Sequence, residues 1–190
     1  SYRIMRIISG SFRGKRIHEP KDIKTRPLKD LTKESIFNII NHSNKFNIKI
    51  GNSNILDLFS GVGSFGIECL SRGVKNVVFI ENYKGVLPIL KKNLINLKNI
   101  SNYEIIEEDI YSTRVFNKLE KKFDIIFLDP PYKDKNLEKI LVNIKNEKIL
   151  KKNGVIIIHR HKDEQVTLPK NYKIIEEKKY GISKIIFCLI

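Results

Sequence analysis

The chain reads as an α/β protein with a seven-stranded, mostly parallel sheet that closes in an antiparallel hairpin, preceded by a β-hairpin and a helix. Three observations predict this. Apolar runs at residues 55–59, 77–80, 103–106, 125–128 and 155–158 alternate with stretches of helical periodicity, the signature of strands paired in parallel through right-handed crossovers. The last two runs, 172–180 and 182–190, have only Gly181 between them, so they must pair antiparallel. A glycine-rich segment lies where the first strand gives way to a helix, as in Rossmann-like sheets.

At the amino-terminal end, two short alternating runs joined across residues 10–14 read as a hairpin carrying Arg3, Arg6, Arg13, Lys15 and Arg16, with Phe12 among them. That is a basic surface with an aromatic able to stack, or a charged edge that deters aggregation. The first helix follows and ends through Phe37-Asn38-Ile39-Ile40. We divide the chain into an extension, 1–45, and a core, 46–190, within one compact domain, since no Ser/Gly/Pro-rich linker interrupts it.

The first strand enters Asp57-Leu58-Phe59-Ser60-Gly61-Val62-Gly63-Ser64-Phe65-Gly66, and a helix is expected over 65–72. No Gly-Lys-Ser/Thr ending is present, which excludes a phosphate-cradling P-loop. The spacing of Gly61, Gly63 and Gly66 does match the dinucleotide fingerprint. Asp57 argues against a pyrophosphate, which it would repel, and for the cationic methionine part of S-adenosylmethionine. The second strand ends in Glu81, whose carboxylate can accept both hydroxyls of a ribose. Pro88 would break a helix spanning 83–97, so that helix should start at or just before it. Asp109 follows the third strand, where such sheets place a hydrogen bond to adenine.

The fourth strand runs into Asp129-Pro130-Pro131-Tyr132. Two prolines end the strand and stiffen the loop. An amine on an aromatic base or an amide has a delocalised lone pair, and becomes nucleophilic only as its hydrogens are held by acceptors. The Asp129 carboxylate and the Pro130 carbonyl can be those acceptors, and Tyr132 offers a flat face for a base.

With these motifs the chain resembles the RsmD-type bacterial methyltransferases, which methylate the exocyclic N2 of a guanine in small-subunit ribosomal RNA. The resemblance covers nearly the whole chain. It rests also on Arg6-Ile7-Ile8-Ser9-Gly10-Ser11-Phe12-Arg13-Gly14-Lys15, on Thr25-Arg26-Pro27, on Glu68-Cys69-Leu70-Ser71-Arg72-Gly73 and on Tyr180-Gly181. It implies a class I methyltransferase fold and S-adenosylmethionine held by Asp57, Gly61, Glu81 and Asp109, with Phe59, Gly63, Asn82, Ile110 and Asp129 beside them. It implies that residues 129–132 hold the guanine, that the basic hairpin meets RNA, and that the segment around Arg26 lies near the cofactor cleft. The departures are Cys69, where a small alanine is usual, and His159-Arg160, where an acid is common.

Composition agrees with a polyanionic partner: 36 Lys and Arg against 21 Asp and Glu give a formal net charge of +15. Cys69 and Cys188 stand far apart in apolar settings and read as buried small hydrophobes. His159 and His161 would share one side of a strand that continued so far, but a metal needs further ligands, and none is expected. The chain shows neither a transmembrane-length apolar run nor a signal-peptide pattern, and we expect a cytoplasmic monomer whose substrate is ribosomal RNA, free or in an assembling 30S particle. The Asp-Pro-Pro-Tyr loop also occurs in DNA amino-methylases and protein glutamine methylases, and a non-catalytic RNA-binding assembly factor is a further alternative.

Overall fold

The structure is a computed structural model that describes residues 4–22, 28–112, 114–132 and 134–190. Strands β1 (Asn54–Leu58), β2 (Asn76–Ile80), β3 (Tyr103–Ile106), β4 (Phe123–Leu128), β5 (Leu150–His161), β6 (Lys173–Tyr180) and β7 (Ser183–Leu189) form one seven-stranded sheet. Its order is β3-β2-β1-β4-β5-β7-β6; all pairs are parallel except β5 with β7 and β7 with β6. The order reverses between β1 and β4, and the crevice beyond their carboxyl ends is where sheets of this kind bind ligands.

Helices α1 (Asp30–His42), α2 (Ser64–Ser71), α3 (Leu87–Ile95), α4 (Arg114–Asn117) and α5 (Leu137–Asn146) complete the fold. Period-two alternation divides the core between the faces of the sheet. Ile55, Val77, Phe79, Ile125, Phe127, Ile157 and Phe187 pack with α2, α3 and α1 on one face. Leu56, Leu58, Val78, Ile126, Ile156 and Ile158 pack with α5 and Phe116 on the other. Both cysteines are free and fully buried. Helix α3 starts one residue before Pro88, where a missing N–H costs nothing.

The amino-terminal hairpin is narrow: one antiparallel bridge joins Arg6 and Arg16, and the Ile7 N–H donates to the Lys15 carbonyl at 2.9 Å. Met5, Ile7 and Ile17 are buried in the same cluster as α1 and α2. Polar contacts lock the hairpin down. The Ile8 and Ser9 N–H groups donate to the two oxygens of Glu68 at 2.8 and 3.0 Å. Glu68 is wholly buried and also meets Arg72 at 2.9 Å and Lys33 at 3.5 Å. Lys33, equally buried, donates to the Arg6 carbonyl and to Ser64 Oγ, which ties the hairpin, α1 and the start of α2 to one charge cluster. Burial pulls the Lys33 ammonium below its ordinary range and the Glu68 carboxylate opposes this. Among the described residues no helix is long and apolar enough to cross a membrane.

The fifth strand is longer than the apolar run that announces it. It starts at Leu150 and continues three residues past Ile158, so that His159, Arg160 and His161 are carried over the loop that follows β4.

Candidate functional site

A cavity of about 820 Å³ opens at the carboxyl ends of β1, β2, β4 and β5. That volume is in the upper part of the range of roughly 300–1,000 Å³ usual for small-molecule sites. Its floor is the turn from β1 into α2. Phe59 sits there at φ 57°, in the left-handed region that costs a bulky residue about 1–3 kcal/mol and that persists where a site demands it. Its ring leans on Tyr111, with centroids 5.9 Å apart.

Asp57, 1% exposed, accepts the Gly66 N–H at 3.0 Å and thereby fastens the first turn of α2 to the end of β1. Burial pushes its carboxyl well above the usual carboxylate range, against the Gly66 hydrogen bond, and the charges of Asp129 and Glu81 push it further. Glu81 is organised by the backbone: one oxygen accepts the Gly61 N–H at 2.9 Å, the other the N–H groups of Asn82 and Tyr83 at 3.0 Å each. Four carboxyl groups, those of Asp57, Glu81, Asp129 and the Arg160-paired Glu164, thus line a cavity inside a strongly basic protein, a field suited to a cation. Ser60 Oγ, in a residue 8% exposed, lines this cavity and has no hydrogen-bond partner among the described residues. A polar ligand would satisfy it.

The opposite wall is the loop after β4. Asp129 Oδ1 lies 2.9 Å from His159 Nδ1, and His159 Nε2 lies 2.8 Å from Ser183 Oγ. Arg160, 5% exposed, donates through Nη1 to the Pro130 carbonyl at 2.9 Å and the Pro131 carbonyl at 3.3 Å, and pairs with Glu164. The Pro130 carbonyl, read from the sequence as an acceptor for an amine, already accepts one hydrogen bond and keeps one lone pair. Tyr132 is 48% exposed at the mouth, edge-on to His161 with centroids 5.9 Å apart.

Of the residues expected at the cofactor, Asp57, Phe59, Gly61, Glu81, Asn82 and Asp129 line the cavity, as do Pro130, Pro131 and Tyr132. Gly63, Asp109 and Ile110 do not. Gly63 caps α2 at φ 90°. Asp109 is exposed and accepts the Tyr111 N–H at 3.0 Å, and Ile110 is buried in the second core cluster. In place of Asp109 the cavity receives Tyr111, whose hydroxyl bonds the Asp134 carboxylate. Gly66, read as part of a ligand cradle, sits against the core: a Cβ there would come within 2.6 Å of Phe79 Cζ and 3.0 Å of Val77 Cγ1.

The described hairpin residues do not line the cavity. Arg6, Arg13 and Arg16 are exposed on it, whereas Lys15 bonds the Asn96 carbonyl. Phe12 is half-buried against the core with the Lys15 ammonium 5.6 Å from its ring centroid. Its ring is thus engaged by Lys15 on one face. Arg3 and Arg26 lie outside the described residues. Sequence reasoning missed Ser60, Tyr111, Glu164 and Ser183 as lining residues, noted His159 and Arg160 as a departure, and weighed His159 further only as half of a metal pair with His161. The signal for the last two was the strand's length: two more residues of extended backbone bring them over Asp129.

Residues 5–189 match the model of a family described as Conserved hypothetical protein 95. The chain is 35% identical over 179 residues to Ribosomal RNA small subunit methyltransferase D of Haemophilus influenzae, with 94% of this chain and 90% of that protein covered. A candidate methyltransferase from Escherichia coli superimposes with a TM-score of 0.79 at 26% identity over 97% of both chains. The fold is shared by a further candidate methyltransferase crystallised with SAH, at a TM-score of 0.66 and 16% identity over 83% of this chain and 49% of that one. A match over nearly the whole length and a relative this similar, on a class I methyltransferase sheet with an Asp-Pro-Pro-Tyr loop at its switch point, lead to one conclusion: the chain belongs to the RsmD-type methyltransferase family.

Proposed function

We propose that this protein is an S-adenosylmethionine-dependent methyltransferase that modifies the exocyclic N2 amine of a guanine in small-subunit ribosomal RNA. The observation that carries the reading is the juxtaposition across one cavity of Asp57, Glu81 and the partnerless Ser60 Oγ with the Asp129-Pro130-Pro131-Tyr132 loop. The residues fit the cofactor: Glu81 accepts three backbone N–H groups and keeps a lone pair on Oε1 for a ribose hydroxyl, Asp57 and its neighbours supply negative field for a cationic methionine part, and Ser60 lacks a partner among the described residues. When bound, the cofactor supplies a methyl group on a positively charged sulfur.

The chain's own residues do the rest. Asp129 Oδ2 and the remaining lone pair of the Pro130 carbonyl accept the two amine hydrogens, which frees the nitrogen lone pair and opposes the positive charge that grows on it. Arg160 holds the loop carbonyls in place, so these acceptors do not have to be oriented at the moment of reaction. Tyr132 stacks on the base. The exposed Arg6, Arg13 and Arg16, with Arg3 and Arg26, contact RNA phosphates. Support for ribosomal RNA over DNA comes from this basic arm and from the printed name of the Haemophilus relative.

The test is incubation of the protein with labelled S-adenosylmethionine and, in separate reactions, unmodified small-subunit RNA, partly assembled 30S particles and DNA, then digestion and identification of the labelled base. N2-methylguanine is the expected product. Label confined to adenine in DNA, or absent throughout, refutes the proposal and leaves the fold standing.

A further inference from the structure

We propose that His159 is a positioning residue for methyl transfer, which holds Asp129 through one oxygen and does so in its neutral form. The inference rests on the reading of Asp129 as the acceptor of the amine hydrogens. His159 is pinned at both ends: Nδ1 lies 2.9 Å from Asp129 Oδ1 and Nε2 lies 2.8 Å from Ser183 Oγ. Its side chain is 13% exposed and that of Asp129 22%, so the pair is largely withdrawn from water. Both residues line the cavity.

Two consequences follow from this geometry. A carboxylate free to rotate would present its oxygens to the amine in many orientations. With Oδ1 held by the imidazole, Oδ2 is fixed toward the substrate. The second consequence concerns charge. An ionised Asp129 accepts from Nδ1–H, and the neutral ring then accepts a hydrogen bond from the Ser183 hydroxyl at Nε2. This pair carries one negative charge, which opposes the positive charge developing on the nitrogen. An imidazolium would cancel it. The surplus proton of the nitrogen passes to Asp129 Oδ2 and on to water, and His159 stays neutral throughout.

The groups around His159 pull in both directions. Asp129 beside it, Asp57 and Glu81 across the cavity and Glu164 beyond β5 favour its protonation. Arg160 next to it and Lys184 on β7 oppose it; the first is paired with Glu164 and the second donates to the Glu164 carbonyl. His161 on the same side of β5 leans on Tyr132 from the loop after β4.

Two measurements test the proposal. Nitrogen NMR of the uncomplexed protein should show His159 with its neutral-form proton on Nδ1, and a titration midpoint that falls in Asp129→Asn, since the anion that favours the imidazolium is gone. In single-turnover methylation, His159→Ala should lower the rate ten- to a hundredfold, roughly one charge-assisted hydrogen bond, with KM for both substrates within twofold. His159→Asn places an amide nitrogen where Nδ1 stood. It should recover most of the rate and, at saturating cofactor, move the acid limb of the pH–rate profile to lower pH. A wild-type rate in His159→Ala, an acid limb unchanged in His159→Asn, or a titration unmoved by Asp129→Asn overturns the inference. If no RNA is methylated, the inference falls together with the proposed function, while the NMR result separately decides the His159–Asp129 pairing.

Discussion

Replacement of Gly10 by alanine tests how the basic hairpin is held. Gly10 sits at φ +88°, and a Cβ there would overlap the Ser71 carbonyl oxygen at the end of α2 and come within 2.8 Å of the Arg72 nitrogen. These atoms are backbone and cannot swing away, so the hairpin must lift. Lifting breaks the Ser11 N–H bond to the Ser71 carbonyl at 2.8 Å, the Phe12 N–H bond to Ser71 Oγ at 3.0 Å and the Ser71 hydroxyl bond to the Ser9 carbonyl at 2.6 Å. Left-handed backbone costs an alanine about 1–2 kcal/mol and each of the three lost bonds roughly 1 kcal/mol, so the variant should be about 4–5 kcal/mol less stable. At a urea slope of about 2 kcal/mol/M that lowers the midpoint by about 2 M. Gly14 is the control: it has φ +86° with nothing within 4 Å of its Cβ position, so Gly14→Ala should show the conformational cost alone. Equal midpoints for the two variants would refute the claim that contact with Ser71 docks the hairpin. Gly10→Ala should still bind S-adenosylmethionine in calorimetry, since no described hairpin residue lines the cavity.

Asp129→Ala should abolish methyl transfer and leave cofactor binding nearly intact, because it removes an acceptor used mainly in the transition state; equal losses in affinity and rate would assign Asp129 to the cofactor instead. The raised folded pKa of Asp57 means that its contribution to stability is full below the unfolded carboxyl value and is lost as pH rises through the folded one. Asp57→Asn should therefore raise the urea midpoint at neutral pH and flatten its pH dependence, while wild-type cofactor affinity, read by calorimetry, should strengthen with pH as Asp57 ionises. Arg13→Ala with Arg16→Ala should weaken RNA binding and reduce its log–log salt slope by up to roughly one per lost phosphate contact, whereas an unchanged slope makes the exposed arginines bystanders. Gly66→Ala should cost about 1–3 kcal/mol through overlap with Phe79, read as a shifted denaturation midpoint with an unaltered slope.

The parallel strands were legible because each contains a short apolar run, and their crossovers leave few topologies; β6 and β7 were legible because Gly181 leaves no room for a helix between them. Tyr103–Ile106 is bounded as expected, and α3 begins where Pro88 requires. The site was legible wherever a role needs only a residue at a strand's end: Asp57, Glu81 and Asp129 meet as their positions dictate. It was not legible where three-dimensional packing decides. Asp109 and Tyr111 are two residues apart, and only the local turn determines which one faces the cavity. Gly66 has the spacing of a ligand-binding glycine, yet what approaches it is Phe79 from β2. The overhang of β5 has no apolar signature, because His159, Arg160 and His161 are polar residues bonded to a loop.

Helix α2 has about two turns, and its two ends serve different partners. Its first turn is fastened to Asp57 through the Gly66 N–H and to Lys33 through Ser64; its last turn carries Glu68 and Ser71, which hold the basic arm. A body this short transmits a displacement from one end to the other with little loss. Linkage then requires that whatever factor a cofactor in the cavity imposes on the arm's affinity for nucleic acid, nucleic acid on the arm imposes on the cofactor. The coupling between cavity and arm would thereby become a property of one short helix rather than of a moving domain.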